Sequence, residues 1–149
     1  MDKAVQMDVR RVTDEVSVAP QISVADVAEI AAAGFRSIVC NRPDGESGDQ
    51  VAFAEIEAAA KEAGLEIVWQ PVISAAMTDL DAVRFGEIVD DLPKPVLAYC
   101  RSGTRCAALW SLSQAKARPT DEIIRRAAEA GYDLSGLGGR IEAIRSSDG

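Results

Sequence analysis

Short apolar runs alternate along the chain with longer amphipathic stretches, and turn-forming residues separate the two kinds of segment. Five apolar runs have the length and composition of β-strands and cover residues 7–12, 16–19, 36–40, 65–69 and 96–99. The last run, Val96-Leu97-Ala98-Tyr99, is apolar at every position, which is typical of a strand that is covered on both faces.

The stretches between the strands have helical periodicity and recognisable ends. Ser23 and Asp26 have the spacing of a capping box, and Thr78 begins a later helix with the same pattern. The predicted helices cover residues 24–33, 51–63, 79–92, 104–117, 121–130 (with Thr120 as the cap) and 136–144. Strands and helices alternate at crossover spacing, which predicts a fold of the α/β class with a parallel sheet and helices on both faces.

The size and the charge of the chain limit the classes of protein to which it can belong. Its 149 residues, 48% of them hydrophobic, fit one globular domain over residues 1–149. No apolar run approaches the roughly 18 residues of a membrane span, and acids occupy positions where a signal peptide needs an apolar stretch. We therefore expect a cytoplasmic protein. Its net charge of −8 disfavours binding to nucleic acid.

Histidine is absent, and the three cysteines have no metal-binding or disulfide pattern. Without histidine, a Ser-His-Asp triad, a Cys-His pair and His-containing zinc sites are excluded. Cys40, Cys100 and Cys106 are an odd number and contain no Cys-x-x-Cys pair. Any chemistry must come from thiol, carboxylate, arginine, lysine or backbone groups, and we predict neither a metal nor a cofactor.

Most of the candidate catalytic and binding residues lie in the segment 100–105, which follows strand 96–99 and precedes a helix. In a parallel sheet, ligands bind at the carboxyl ends of the strands. A cysteine facing a helix N-terminus has a stabilised thiolate, and Gly103 lets successive N–H groups converge on an anion. Arg105 offers two anion oxygens a planar fork. We therefore predict Cys100 and Arg105 as catalytic residues, with Arg101, Ser102, Gly103 and Thr104 as substrate-binding residues.

Two residues near this loop have alternative interpretations. Arg42 follows strand 36–40 and either joins the anion site or forms a salt bridge with Asp44 or Glu46. Cys106 is either a small apolar residue of the first helical turn or a resolving thiol. A resolving thiol would form a disulfide with Cys100 or accept its persulfide.

The loop and several other segments resemble a known family. Phosphate loops of protein tyrosine and dual-specificity phosphatases read Cys-x-x-Gly-x-x-Arg, whereas the shorter Cys-x-x-x-x-Arg found here is close to the active loop of many rhodanese-type sulfurtransferases. The wider pattern comprises Val18-Ala19-Pro20-Gln21-Ile22, Ala33-Gly34-Phe35, Asn41-Arg42-Pro43-Asp44-Gly45-Glu46, the loop with Tyr99 before it, and Leu109-Trp110. Over about Val9 to Asp133, the chain resembles the phosphatase-like domain of the beta-lactamase hydrolase-like proteins.

This resemblance implies a protein-tyrosine-phosphatase-like α/β/α sandwich around a mostly parallel sheet of four or five strands. The bacterial family occurs alone or fused to metallo-β-lactamase-type sulfur-oxidising domains, and its members have been described both as phosphatases and as sulfurtransferases. The resemblance therefore implies a small sulfur-containing or phosphate-type anion as the substrate. It also implies a persulfide-oxidising metallo-β-lactamase-type protein as a partner.

Three features of the sequence favour sulfur transfer. The short loop makes a smaller cradle, and Cys106 stands where the resembled phosphatases usually have Ser or Thr. Residues 70–77 contain no carboxylate that could protonate a leaving alkoxide, and the helix cap explains Asp79 and Asp81. The main prediction is a sulfurtransferase with a persulfide on Cys100. One alternative is a Cys100-dependent phosphatase with Asp79 or Asp81 as the acid.

A non-catalytic reading of the same loop is the second alternative. Cys100 is then a buried core thiol and Arg105 a surface residue of the next helix, or the loop is an anion-binding module without turnover. The pKa of Cys100 distinguishes these cases, because a nucleophilic thiol has a depressed pKa and an inert one does not.

Overall fold

The computed structural model describes residues 8–147, so the predictions for residues 1–7, including the expected lack of a signal peptide, lie outside it. One sheet contains β1 (Arg10–Arg11), β2 (Val16–Ala19), β3 (Ser37–Cys40), β4 (Glu66–Trp69) and β5 (Val96–Tyr99). The strand order is β1-β2-β5-β3-β4, and all neighbours are parallel except β1 and β2. This confirms the mostly parallel sheet.

Among residues 8–147, six α-helices cover the two faces of this sheet. They are α1 (Val24–Ala32), α2 (Phe53–Glu62), α3 (Asp79–Asp91), α4 (Thr104–Ser113), α5 (Thr120–Glu129) and α6 (Gly138–Ser146). One hydrophobic cluster joins the sheet to α1 and α2, and a second, larger cluster joins it to α3, α4, α5 and α6. The three-layer α/β/α sandwich is therefore confirmed, with the fully buried β5 at its centre.

The helix starts that rest on capping boxes form as expected. Ser23 accepts the Asp26 N–H while the Asp26 carboxylate accepts the Ser23 N–H, and the same exchange joins Thr78 and Asp81. Each box satisfies two backbone donors that a helix start leaves unpaired. Asp81 is therefore occupied by the start of α3.

Several boundaries differ from the predicted ones. The first strand is only two residues long, because the chain already turns at Val12, whose N–H donates to the Val16 carbonyl. Helix α4 ends at Ser113, since the following residues form a turn before Pro119. Pro119, and not Thr120, is the N-cap residue of α5; the Thr120 hydroxyl bonds to Glu142 instead.

No helix among residues 8–147 combines the length and the apolar character that a membrane crossing requires.

Candidate active site

The loop between β5 and α4 lies at the carboxyl edge of the sheet. Cys100 follows the central strand directly, and its N–H donates to the Ala19 carbonyl of β2 at 3.3 Å. Gly103 is the N-cap residue of α4 and has a φ of +91°, a left-handed conformation that favours glycine. The chain therefore turns sharply at Gly103 and brings the N-terminus of α4 back onto Cys100.

The carbonyl groups of this loop are held from outside. The Gln21 N–H donates to the Arg101 carbonyl at 3.3 Å, and the Tyr132 hydroxyl donates to the Ser102 carbonyl at 3.1 Å. Since a carbonyl and the following N–H point in opposite directions along a peptide, fixing these oxygens outward leaves loop N–H groups pointing inward.

Those inward N–H groups meet the sulfur of Cys100, which is 1% exposed. The Gly103 N–H donates to this sulfur at 3.2 Å. The Cys106 thiol is the largest influence that lowers the pKa of Cys100, and the N–H groups of Cys106, Gly103 and Arg105 lower it further. Together they outweigh desolvation and lower the pKa of Cys100 to about 5. Burial and the neighbouring Cys100 raise the pKa of Cys106. The site therefore holds a Cys100 thiolate beside a neutral Cys106 thiol at neutral pH.

The Arg105 side chain is held in place by several hydrogen bonds and is 9% exposed. Its Nη1 donates to Glu46 Oε2 at 3.1 Å and to the Val72 carbonyl at 3.0 Å, and its Nη2 donates to Glu46 Oε1 at 3.3 Å. Its Nε is buried and has no partner among the residues that the structure describes. One N–H of the guanidinium is thus free for a bound anion.

Glu46 links Arg105 to a second buried arginine. Arg42 donates from Nε to Glu46 Oε1 at 3.0 Å and from Nη1 to the Gln21 side chain at 2.9 Å. Desolvation raises the pKa of Glu46, but the hydrogen bonds from Arg105 and Arg42 outweigh it and lower that pKa overall. Glu46 is therefore ionised and orients Arg105 with both carboxylate oxygens.

A pocket of about 390 Å³ opens above Cys100. Its lining includes Ser102, Thr104 and Arg105 from the loop and α4, Ser74, Ala75 and Met77 from the segment before α3, and Leu137 and Arg140 from the start of α6. Arg105 and Arg140 are the charged side chains in this lining, and no carboxylate of the described residues contributes to it. The pocket therefore suits an anion.

The structure places the other predicted residues in different positions. Arg101 is exposed and Arg42 lies behind Arg105, so neither lines the pocket. Asp79 is near it, because its carboxylate accepts from Nε of the lining residue Arg140 at 2.7 Å. Cys40 lies beneath the loop, where it donates to the Arg42 carbonyl at 3.4 Å and burial raises its pKa.

Three residues of the site have roles that the sequence reasoning missed. Glu46 was weighed only as a partner of Arg42, although an acid so close to a buried arginine could also have indicated a bridge to Arg105. Tyr132 and Arg140 lie in later segments of the chain, and no spacing rule connects them with Cys100. Only the tertiary structure brings them to the loop.

Replacing Gly103 with alanine should distort the loop. An added Cβ would lie 2.1 Å from the Tyr132 hydroxyl, and the left-handed backbone adds about 1–2 kcal/mol of strain. We expect Gly103→Ala to raise the pKa of Cys100 by about one unit and so to slow its alkylation about fivefold at pH 5, because the N–H donors move away. The matched control is Gly48→Ala, whose Cβ meets open space. Equal rates in both variants would contradict this packing.

The low pKa of Cys100 predicts an unusual pH dependence of alkylation. Because the thiolate is the reactive form, the rate should rise through an inflection near pH 5 and not near the value of about 8.5 for a free thiol. Cys106→Ala removes the main donor and should raise the inflection by about one to two pH units, whereas Cys106→Ser keeps a donor and should change it less. Iodoacetamide rates followed by mass spectrometry test this, and an unchanged inflection in Cys106→Ala would be evidence against the thiol hydrogen bond.

The contact between the two thiols also predicts a specific oxidation product. Hydrogen peroxide should convert the Cys100 thiolate to a sulfenic acid, and the Cys106 thiol should then form a disulfide and release water. Peptide mapping after mild peroxide should find the Cys100–Cys106 linkage in the wild type and not in Cys106→Ser. Sulfinic acid on wild-type Cys100 without this linkage would show that Cys106 does not act as a resolving thiol.

Comparisons with known proteins agree with this fold and this loop. The family model for the phosphatase-like domain of the beta-lactamase hydrolase-like protein matches residues 8–117. A beta-lactamase hydrolase-like protein of Agrobacterium fabrum is 33% identical over 105 residues, which are 70% of this chain and 24% of the relative. The chain thus spans about a quarter of the length of that relative.

Two solved structures have a similar fold. The crystal structure of a candidate phosphatase from Neisseria meningitidis has a TM-score of 0.84 and 37% identity, covering 94% of this chain and all of that chain. Pseudomonas aeruginosa TpbA, solved with phosphotyrosine, has a TM-score of 0.68 over 97% of this chain and 91% of its own, and at 11% identity it shows a likeness of fold alone. The match over most of the chain means that this protein belongs to the phosphatase-like domain family of the beta-lactamase hydrolase-like proteins.

Proposed function

We propose that this protein is a cysteine-dependent phosphatase that hydrolyses phosphomonoesters through a phosphocysteine on Cys100. The observation that carries the proposal is a buried thiolate in an anion pocket that is also lined by Arg105, whose Nε has no acceptor among residues 8–147. The family and the phosphatase-like solved structures support hydrolysis of a phosphate ester over the sulfur transfer that the sequence favours.

In the first step, the Cys100 sulfur attacks phosphorus, an S–P bond forms and the ester P–O bond breaks. Nε of Arg105 and those N–H groups of the loop that do not face the sulfur donate to the equatorial oxygens, where negative charge is concentrated in the transition state. The leaving alkoxide takes a proton. Of the two predicted acids, Asp81 is engaged in the cap of α3, whereas Asp79 pairs with a lining residue. Asp79 can give this proton only after its ion pair with Arg140 opens and the carboxylate is protonated.

In the second step, water attacks phosphorus, the S–P bond breaks and inorganic phosphate leaves while Cys100 returns to the thiolate. A low thiol pKa assists this step as well as the first, because a more stable thiolate is a better leaving group. Glu46 keeps Arg105 in position through both steps, since its two oxygens hold both terminal nitrogens of the guanidinium.

Sulfur transfer is the second candidate function, favoured by the absence of any carboxylate from the described lining of the pocket. The Cys100 thiolate would attack the outer sulfur of thiosulfate, form a persulfide and release sulfite, a leaving group that needs no acid. A thiol would then accept the sulfur. The persulfide-oxidising metallo-β-lactamase-type partner and the cytoplasmic location stay predictions that belong with this hypothesis.

One set of variants tests both candidates. The wild type, Cys100→Ser and Arg105→Lys are assayed with 4-nitrophenyl phosphate and with phosphotyrosine, and intact masses are measured after incubation with thiosulfate. We expect Cys100→Ser to lose at least about 10³-fold in hydrolysis. Arg105→Lys should lose about 10²- to 10³-fold, because lysine keeps the charge and loses the fork. Cys40→Ala is the control, since this buried thiol does not line the pocket.

The possible results lead to different conclusions. Hydrolysis that depends on Cys100 and Arg105 supports the phosphatase. Gain of one sulfur atom on the wild type, with no gain on Cys100→Ser and negligible hydrolysis, would replace it with the sulfurtransferase. Neither activity, together with an ordinary Cys100 pKa, would leave a non-catalytic anion-binding module.

A further inference from the structure

The outer wall of the pocket contains a second guanidinium group. Arg140, in the first turn of α6, donates from Nε to Asp79 Oδ1 at 2.7 Å and from Nη2 to the Met77 carbonyl at 3.3 Å. Its third nitrogen, Nη1, donates to no acceptor in the part of the chain that the structure describes. Arg140 is thus held over the pocket and retains donor capacity.

The charge distribution in the pocket is opposite to that of the protein as a whole. The chain has a net charge of −8, yet the described lining has two guanidinium groups and no carboxylate. One of them, Arg105, lines the pocket together with Cys100, where the anion to be cleaved would bind. The other, Arg140, lies at the start of α6 and is not used by the proposed chemistry. A cleft lined by charge of one sign attracts and orients ligands of the opposite sign.

The ion pair between Arg140 and Asp79 is weak enough to be exchanged. The two side chains are 36% and 55% exposed, and an ion pair in water contributes little to stability. An anionic group of a ligand inside the pocket offers Arg140 a partner in a less solvated environment, where charge-assisted hydrogen bonds are stronger. Exchange of Asp79 for such a group would therefore be favourable.

We propose that Arg140 is a specificity-determining residue that binds a second anionic group of the substrate. The preferred substrates are then phosphomonoesters that carry a carboxylate or another phosphate in addition to the phosphate that reacts. This inference rests on the proposed function for the identity of the reacting group, because the first phosphate binds at Cys100 and Arg105.

Binding of phosphonates tests this inference without turnover, because their P–C bond is not an ester bond. Dissociation constants are measured by NMR titration for phenylphosphonate and for its 3-carboxy and 4-carboxy derivatives. In the wild type, we expect at least one carboxylated ligand to bind about tenfold more tightly than phenylphosphonate. Arg140→Gln should abolish that difference and weaken the binding of phenylphosphonate by no more than about twofold, through the lost positive charge alone. Asp79→Asn removes the competing carboxylate and should increase the difference.

Arg125→Gln is the matched control, since it removes the same charge from an exposed position on α5 and should change none of these affinities. Equal binding of all three phosphonates to the wild type would overturn the inference, as would an equal loss for all three in Arg140→Gln. A carboxylate preference without ester hydrolysis would retain the second anion site and reject only the proposed phosphatase activity. Absence of binding by every phosphonate would reject both.

Discussion

The structure around the active loop depends on the burial of a negative sulfur. An ionised group removed from water loses hydration worth several kcal/mol, so it stays charged only where donors replace the water. Three backbone N–H groups and the Cys106 thiol do this for Cys100. They converge because Gly103 takes a left-handed conformation and because Tyr132 and Gln21 hold the loop carbonyls outward. A local backbone geometry, fixed from two other segments, therefore creates the nucleophile.

The two buried arginines, Arg105 and Arg42, share one carboxylate, that of Glu46, and the charge balance of this group explains why Arg42 is present. Glu46 alone would neutralise Arg105 and remove its attraction for an anion. With Arg42 also bonded to Glu46, the buried group has two positive charges and one negative charge. The Cys100 thiolate then brings the local sum to zero before a substrate binds. Arg42 thus contributes to the site electrostatically, although its side chain does not line the pocket.

The sequence predicted the features that depend on local physical rules. Alternating strands and helices, both capping boxes, and the position of a glycine-containing loop at the carboxyl end of β5 follow from periodicity and from backbone chemistry within a few residues. The helix ends that depend on irregular turns were predicted less accurately. The turn after Ser113 and the N-cap residue Pro119 have no strong local signal in the sequence. The parts of the site that come from distant segments were not predictable. Tyr132 and Arg140 reach the loop only because α5 and α6 pack beside α4.

The choice between phosphate and sulfur chemistry shows how far loop length alone can be interpreted. A loop one residue shorter does have fewer N–H groups, and from that count the sequence favoured sulfur transfer. The count leaves out side chains: the Cys106 thiol is the largest influence that lowers the pKa of Cys100, and Nε of Arg105 has no acceptor among the described residues, because Glu46 and the Val72 carbonyl occupy the other nitrogens. These side chains supply donor capacity that a shorter loop gives up. The capacity of this site for an anion is therefore set by the donors at residues 103–106 and by the residues that hold them in place from other loops, Glu46, Val72 and Tyr132. The number of residues between the cysteine and the arginine does not set it alone.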